Sequence, residues 1–131
     1  MKHEFKQRII YKDTDAEGVV YYANYLGFFE RGRTELLKQI GISLKGLKEK
    51  EKIVFAIRRV ECDYVAPARY EDEIAVISEV EKVTPVRIIF SQKVLRRDEL
   101  LVSAKITACA IKVDDFKPAR VPAAVMSALK S

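Results

Sequence analysis

Histidine is almost missing from this chain. The only one is His3, close to the start, where chains usually fray. A Ser–His–Asp triad or a Cys–His dyad needs an imidazole held rigidly at the site, which argues against both. Zinc sites gather three or four cysteine, histidine or carboxylate ligands. Here there are two cysteines, Cys62 and Cys109, each in a strand-like run, and they read as free buried thiols. Acid–base chemistry is left to carboxylates, tyrosines or lysines. Long apolar runs are also absent: no stretch nears the ~20 residues of a membrane span. The opening MKHEFKQRII has no apolar core of the length a signal peptide needs. The expectation is a soluble, cytoplasmic protein.

The composition that is present suits one domain, residues 1–131. Apolar residues make up 49%, enough for a buried interior. Lys and Arg number 24 against 19 Asp and Glu, a formal charge of +5. That excess suits an anionic ligand. The basic residues alternate with acids, so no nucleic-acid-binding patch is expected.

Periodicity divides the chain. Glu4 to Tyr11 reads as a strand with Phe5, Ile9 and Tyr11 on one face. Ala23 to Ile40 is helical, with Tyr25, Phe29, Leu36 and Ile40 on one side, and Gly41 is its stop signal. Gly27 and Gly32 each cost that helix about 1 kcal/mol relative to alanine, which suggests close approach to another surface. ISLKGLKEKEK is a short helix or a loop. From Ile53 the chain reads as four strands. Val60, Cys62 and Tyr64 share a face in the first, Ile74, Val76 and Val80 alternate in the second, and Val86, Ile88, Phe90 and Val94 in the third. A hairpin turn at Arg96 to Glu99 leads into Leu101 to Val113, with Ala104, Ala108 and Ala110 on one face. APARYEDE is a turn broken by Pro67, and VPAAVMSALKS reads as a short terminal helix. Short links suggest that the later strands are antiparallel neighbours. The order predicts an α+β fold, one helix covering one face of a sheet.

The richest stretch is DTDAEGVVYYANYLGFFERGRTELL, Asp13 to Leu37. Two acids stand where the chain turns into its main helix. By spacing alone, either Asp13 or Asp15 is a turn former, since Asp readily bonds nearby backbone N–H groups. The run Tyr11-x-Asp13-x-Asp15-Ala16-x-Gly18-Val19-Val20-Tyr21-Tyr22-Ala23-Asn24-Tyr25, then Phe29-Glu30-Arg31-x-Arg33-Thr34-Glu35, resembles the 4-hydroxybenzoyl-CoA thioesterase family. Its appearance is most similar to the acyl-CoA thioesterases associated with the Tol–Pal cluster. Asp63-Tyr64-x-Ala66-Pro67-Ala68-Arg69-x-x-Asp72 resembles it too.

The resemblance implies a hotdog fold, a curved antiparallel sheet wrapped around the long helix. It implies dimers that pair edge strands, as homodimers or homotetramers with interfacial sites. It implies hydrolysis of an acyl-CoA thioester without metal or organic cofactor. The family's catalytic carboxylate matches Asp15, as nucleophile or general base, and Asp13 stays structural. The polarising backbone N–H matches Tyr22, where many members closest to this motif carry histidine. Helix N-terminal amides are unpaired and carry partial positive charge, which suits an oxygen turning negative. Gly18, Val19, Tyr21 and Tyr25 are candidates to line the substrate site, with the tyrosines equally able to be core. Lys93, Arg96, Arg97, Lys112 and Arg120 are candidates for CoA phosphates. Glu30 is a second acid, read as a partner of Arg33 or Thr34 on the helix. Other functions weighed on the same fold are a dehydratase, which would need histidine at the motif, and a non-catalytic domain binding acyl-CoA or protein.

Overall fold

The computed structural model describes residues 1–130. Five strands form one antiparallel sheet in the order β1-β3-β4-β5-β2. They are β1 (Lys2–Arg8), β2 (Ile53–Tyr64), β3 (Glu73–Val83), β4 (Arg87–Arg96) and β5 (Glu99–Lys112). The helices are α1 (Asn24–Gln39), α2 (Leu44–Glu51) and α3 (Ala123–Lys130). Ser131, the last residue of the expected terminal helix, lies outside the described residues.

The sheet curls around α1, which is the hotdog arrangement that the motif implied. Period-two alternation along β4 and β5 sends Ile88, Phe90, Val94, Ala104, Ile106, Ala108 and Ala110 to the helix side. Tyr25, Phe28, Phe29, Leu36 and Leu37 of α1 meet them. Gly32 sits where the helix presses hardest: a Cβ there would run into Ser78 Oγ and stand 3.0 Å from Gln92 Nε2. That close approach accounts for the glycine. Gly27 has nothing within 4 Å of where its Cβ would be.

Two parts of the reading need correction. The first strand ends at Arg8, and Tyr11–Asp13 is a 3-10 turn. Ile9 is buried under the sheet's end, so the apolar signal outruns the ladder. Secondly, β2 is not beside β3. It crosses over to pair with β5, and β1 takes the place next to β3. Sheet edges are therefore β1 and β2. Beyond Arg58, β2 is exposed on both faces except at Cys62, with Val60 and Tyr64 among its open apolar residues. Val86, expected to alternate within a strand, is exposed just before β4. Cys62 and Cys109 are free and half-buried.

Candidate active site

The chain enters α1 through a loop that both acids help to shape. Asp13 is buried, and its Oδ2 accepts from the Ile10 amide at 3.0 Å. Its carbonyl accepts from the Tyr21 amide at 3.1 Å and from Asn24 Nδ2 at 2.9 Å. Asp15 is exposed. Its Oδ1 accepts from the Glu17 amide at 2.8 Å, an Asx-turn. The Asp15 amide donates to Val19, and the Gly18 amide donates back to Asp15. Gly18 has φ +79°, the left-handed geometry that glycine adopts without steric cost. Val20 donates to the Ala68 carbonyl at 2.8 Å, and Val19 bridges Arg69, so the segment after β2 backs the loop.

The start of α1 is left open. No side chain caps it. Among the described residues the Tyr22 and Ala23 amides donate no hydrogen bond, and Tyr22 is 61% exposed. Free amides at this end carry the positive pole of the helix. The peptides that hold them are fixed from behind. Asn24 N–H donates to the Tyr21 carbonyl at 2.8 Å, and the Tyr64 hydroxyl donates to the Tyr22 carbonyl at 3.3 Å.

Aromatic rings surround this end. Tyr21 and Tyr22 have centroids 4.8 Å apart, and Tyr64 contacts both Tyr22 and Tyr25. Tyr25 is buried, and its hydroxyl accepts from the Ala68 amide at 2.9 Å, so it ties the helix to the loop behind it. The Tyr21 hydroxyl is pushed up, first by its hydrogen bond with Tyr22, and in part by the negative charge of Asp15. Partial burial, then contact with Cys62, pushes Tyr64 up to about 12. Burial also raises the Cys62 thiol, which keeps it protonated rather than nucleophilic.

Asp15, Gly18, Val19, Tyr21, Tyr22 and Tyr25 thus belong to one loop and helix start. The basic candidates are elsewhere. Arg96 pairs with Asp72 at 2.7 Å and Glu99 at 2.8 Å, and donates to the Pro67 carbonyl at 3.3 Å. Arg97 forms the adjoining hairpin turn with φ +56°. Both line a cleft of about 620 Å³ that contains acids as well as bases and none of Asp13 to Tyr25. Lys93, Lys112 and Arg120 are exposed. Glu30 is exposed too, and no cation lies within 4.0 Å of it among the described residues; Thr34 Oγ1 donates to its backbone carbonyl at 3.1 Å.

Sequence reading missed Asn24 and Tyr64 as supports, although both lie inside the motifs that carried the resemblance. It also missed Gln92, whose signal was a polar residue at an inward position between Phe90 and Val94. Among the described residues no three His, Cys, Asp or Glu side chains group to hold a metal, and no helix is long and apolar enough to cross a membrane.

A model of the thioesterase-like superfamily matches residues 11–129. The chain belongs to that family. It is 36% identical over 124 residues to the acyl-CoA thioesterase YbgC of Haemophilus influenzae, covering 95% of this chain and 91% of the relative. Identity to an acyl-CoA thioester hydrolase YbgC of Escherichia coli is 32%, covering 94% and 92%. The crystal structure of a probable thioesterase from Bartonella henselae matches with a TM-score of 0.88 at 34% identity, over 93% of this chain and all of that one. The family read from the Asp13–Leu37 motif is borne out, as is the hotdog fold, and the chain is an enzyme of the thioesterase class.

Proposed function

We propose that this protein hydrolyses an acyl-CoA thioester to free CoA and a carboxylic acid at the loop leading into α1. The observation that carries the reading is one juxtaposition: an exposed carboxylate, Asp15, in the same loop as the unsatisfied amides that open α1. The Tyr22 amide donates to the thioester oxygen and strengthens that bond as the oxygen becomes negative. Asp15 either attacks the carbonyl carbon directly or draws a proton from water as the water attacks. In both routes the C–S bond breaks, CoA leaves as the thiol and water supplies the acid's oxygen. Gly18 and Val19 bring backbone close to the reacting carbonyl and the exposed ring of Tyr21 flanks it, while Tyr25, expected to line the site, is buried in the core and supports the helix start from behind. Lys93, Arg97, Lys112 and Arg120 are the candidates left to meet CoA phosphates, since Arg96 is engaged by two carboxylates. An exposed β2 edge supports a homodimer or a homotetramer built on it, because an open edge invites pairing.

A panel of acyl-CoAs of varied chain length, read by thiol release, tests the reading. Wild-type protein is expected to turn over at least one of them, and Asp15→Asn to abolish that turnover while remaining folded. Tight acyl-CoA binding with no thiol release from any of them would return the chain to the non-catalytic, acyl-CoA-binding reading.

A further inference from the structure

The first turn of α1 does not bond in the ordinary helical way. In an α-helix the Tyr22 carbonyl would accept from the Leu26 amide, four residues on. Here the Leu26 amide donates to the Ala23 carbonyl at 3.2 Å, and the Asn24 amide closes on the Tyr21 carbonyl at 2.8 Å. Among the described residues the Tyr22 carbonyl accepts from no backbone amide. Its partner is the Tyr64 hydroxyl, at 3.3 Å. Tyr64 is the last residue of β2, and the chain just beyond it is pinned by the Val65 and Ala66 amides, which both donate to the Leu101 carbonyl. Its ring stands edge-on to Tyr22 and tilted against Tyr25. The Cys62 thiol also touches the hydroxyl, but sulfur is the weaker acceptor, so the proton points to the carbonyl. A phenol pushed up to about 12 keeps that proton at any working pH.

Two consecutive peptides are therefore built alike. The peptide from Tyr21 to Tyr22 has its carbonyl held by the Asn24 amide, and the peptide from Tyr22 to Ala23 has its carbonyl held by Tyr64. Each leaves its N–H free, at Tyr22 and at Ala23. Ala23 has φ −70° and ψ −21°. With the bond from Asn24 to Tyr21, those angles make a type I turn, whose two central N–H groups lean the same way, out of the helix start. Two such amides reach one oxygen through its two lone pairs, as helix starts do when they hold anions. A donor at the carbonyl end of a peptide also polarises its N–H, because chained hydrogen bonds strengthen one another.

We infer that the Ala23 amide is a second donor to the thioester oxygen, beside the Tyr22 amide, and that the Tyr64 hydroxyl is its positioning residue. This rests on the thioesterase reading proposed above. As the oxygen gains charge, both hydrogen bonds shorten onto it, and the Tyr64 bond holds the second peptide in place. The gain falls on the transition state rather than on binding, since only there is the oxygen negative.

The test reads thiol release from acetyl-, butyryl-, decanoyl- and benzoyl-CoA and follows the kinetics on whichever is used fastest. Tyr64→Phe keeps the ring and removes only the hydroxyl. It is expected to lower kcat roughly three- to ten-fold, the effect of one hydrogen bond, with KM within about two-fold. A hydroxyl that merely satisfied the Tyr22 carbonyl would show in the melting temperature and leave kcat alone. Turning the Ala23 amide into an ester, with lactic acid in place of alanine, removes the N–H itself. It is expected to lower kcat about a hundred-fold, the effect of one oxyanion donor. Tyr64→Phe should add almost nothing to the ester, because the N–H that it serves is gone. Melting curves check folding, and the ester, which leaves Tyr64 in place, decides the second donor if Tyr64→Phe does not fold. An unchanged kcat in either variant, a loss carried by KM alone, or the same fold loss from Tyr64→Phe with and without the ester would each overturn the inference and leave the thioesterase reading standing. No thiol release by wild type from any of the four would remove that reading, and the inference with it.

Discussion

The two halves of α1 are built to opposite specifications. Its first turn is uncapped, with free amides at Tyr22 and Ala23 and an exposed acid nearby. Two turns later the backbone lies directly on Ser78 and Gln92, and the buried polar atoms there are all partnered. The short α2, by contrast, is capped in the ordinary way, Ser43 Oγ accepting from the Gly46 amide at 3.0 Å. Leaving out a cap costs about 1 kcal/mol. The packed middle of α1 can carry that cost, so stability and, under the proposed function, reactivity fall on different stretches of one helix.

The comparison breaks if mutations at the two ends have similar effects. The largest effect is expected at the open end. Asp15→Asn keeps the acceptor for the Glu17 amide but removes the charge. Turnover should fall by two orders of magnitude or more, about 2.7 kcal/mol of barrier, with the melting temperature barely moved. A folded Asp15→Asn with near-normal turnover would reduce this acid to a turn former. Next comes the sealed middle. Gly32→Val drives a branched side chain into Ser78 and should cost about 2 kcal/mol in denaturant titrations while the remaining folded protein stays active. An unchanged midpoint would mean that the helix can lift off the sheet freely. Asp13→Ala should be smaller, about 1 kcal/mol, because it strands the Ile10 amide. Comparing its melting and turnover with those of Asp15→Asn separates the two acids.

The smallest effect concerns pH. Partial burial works against charge on Asp72. The hydrogen bonds from Arg96 and from the Arg69 amide outweigh it and hold the carboxyl below the usual range. A depressed folded pKa gives stability that is fully present above the unfolded value near 3.9 and is lost as pH falls through the folded value. Asp72→Asn should therefore flatten the acid limb of stability slightly and leave neutral turnover alone. Equal acid sensitivity in variant and wild type would show that the Arg96 pair contributes nothing measurable.

What could be read from the residues follows what local physics controls. Helix periodicity placed α1 within one residue of its ends, because a 16-residue amphipathic pattern is a strong local signal. Gly32 betrayed a close approach by its cost, while Gly27 carried the same signal and meets nothing in the chain. The strand order escaped because the place of β2 beside β5 depends on partners distant in sequence. Asp15, Gly18 and Tyr22 of the proposed site were picked out by one contiguous motif, and the structure places them in one loop and helix start. Arg33 was noticed only as a helix neighbour of Glu30. Its grip on Gln92 joins residues from α1 and β4, and no local pattern announces such a pair.

The sheet order also has a consequence for how the chain acquires its shape. β3, β4 and β5 form a meander of local hairpins, but β1 waits for β3, with Phe5 finding Val76. On a ribosome, β1 and α1 emerge before β3 and β4, the strands against which they come to rest. The apolar flank of α1 must stay unpaired until most of the chain has been made. Such non-local pairing slows folding and lengthens exposure to aggregation. The late meander, rather than the early helix, is then the step that commits the chain.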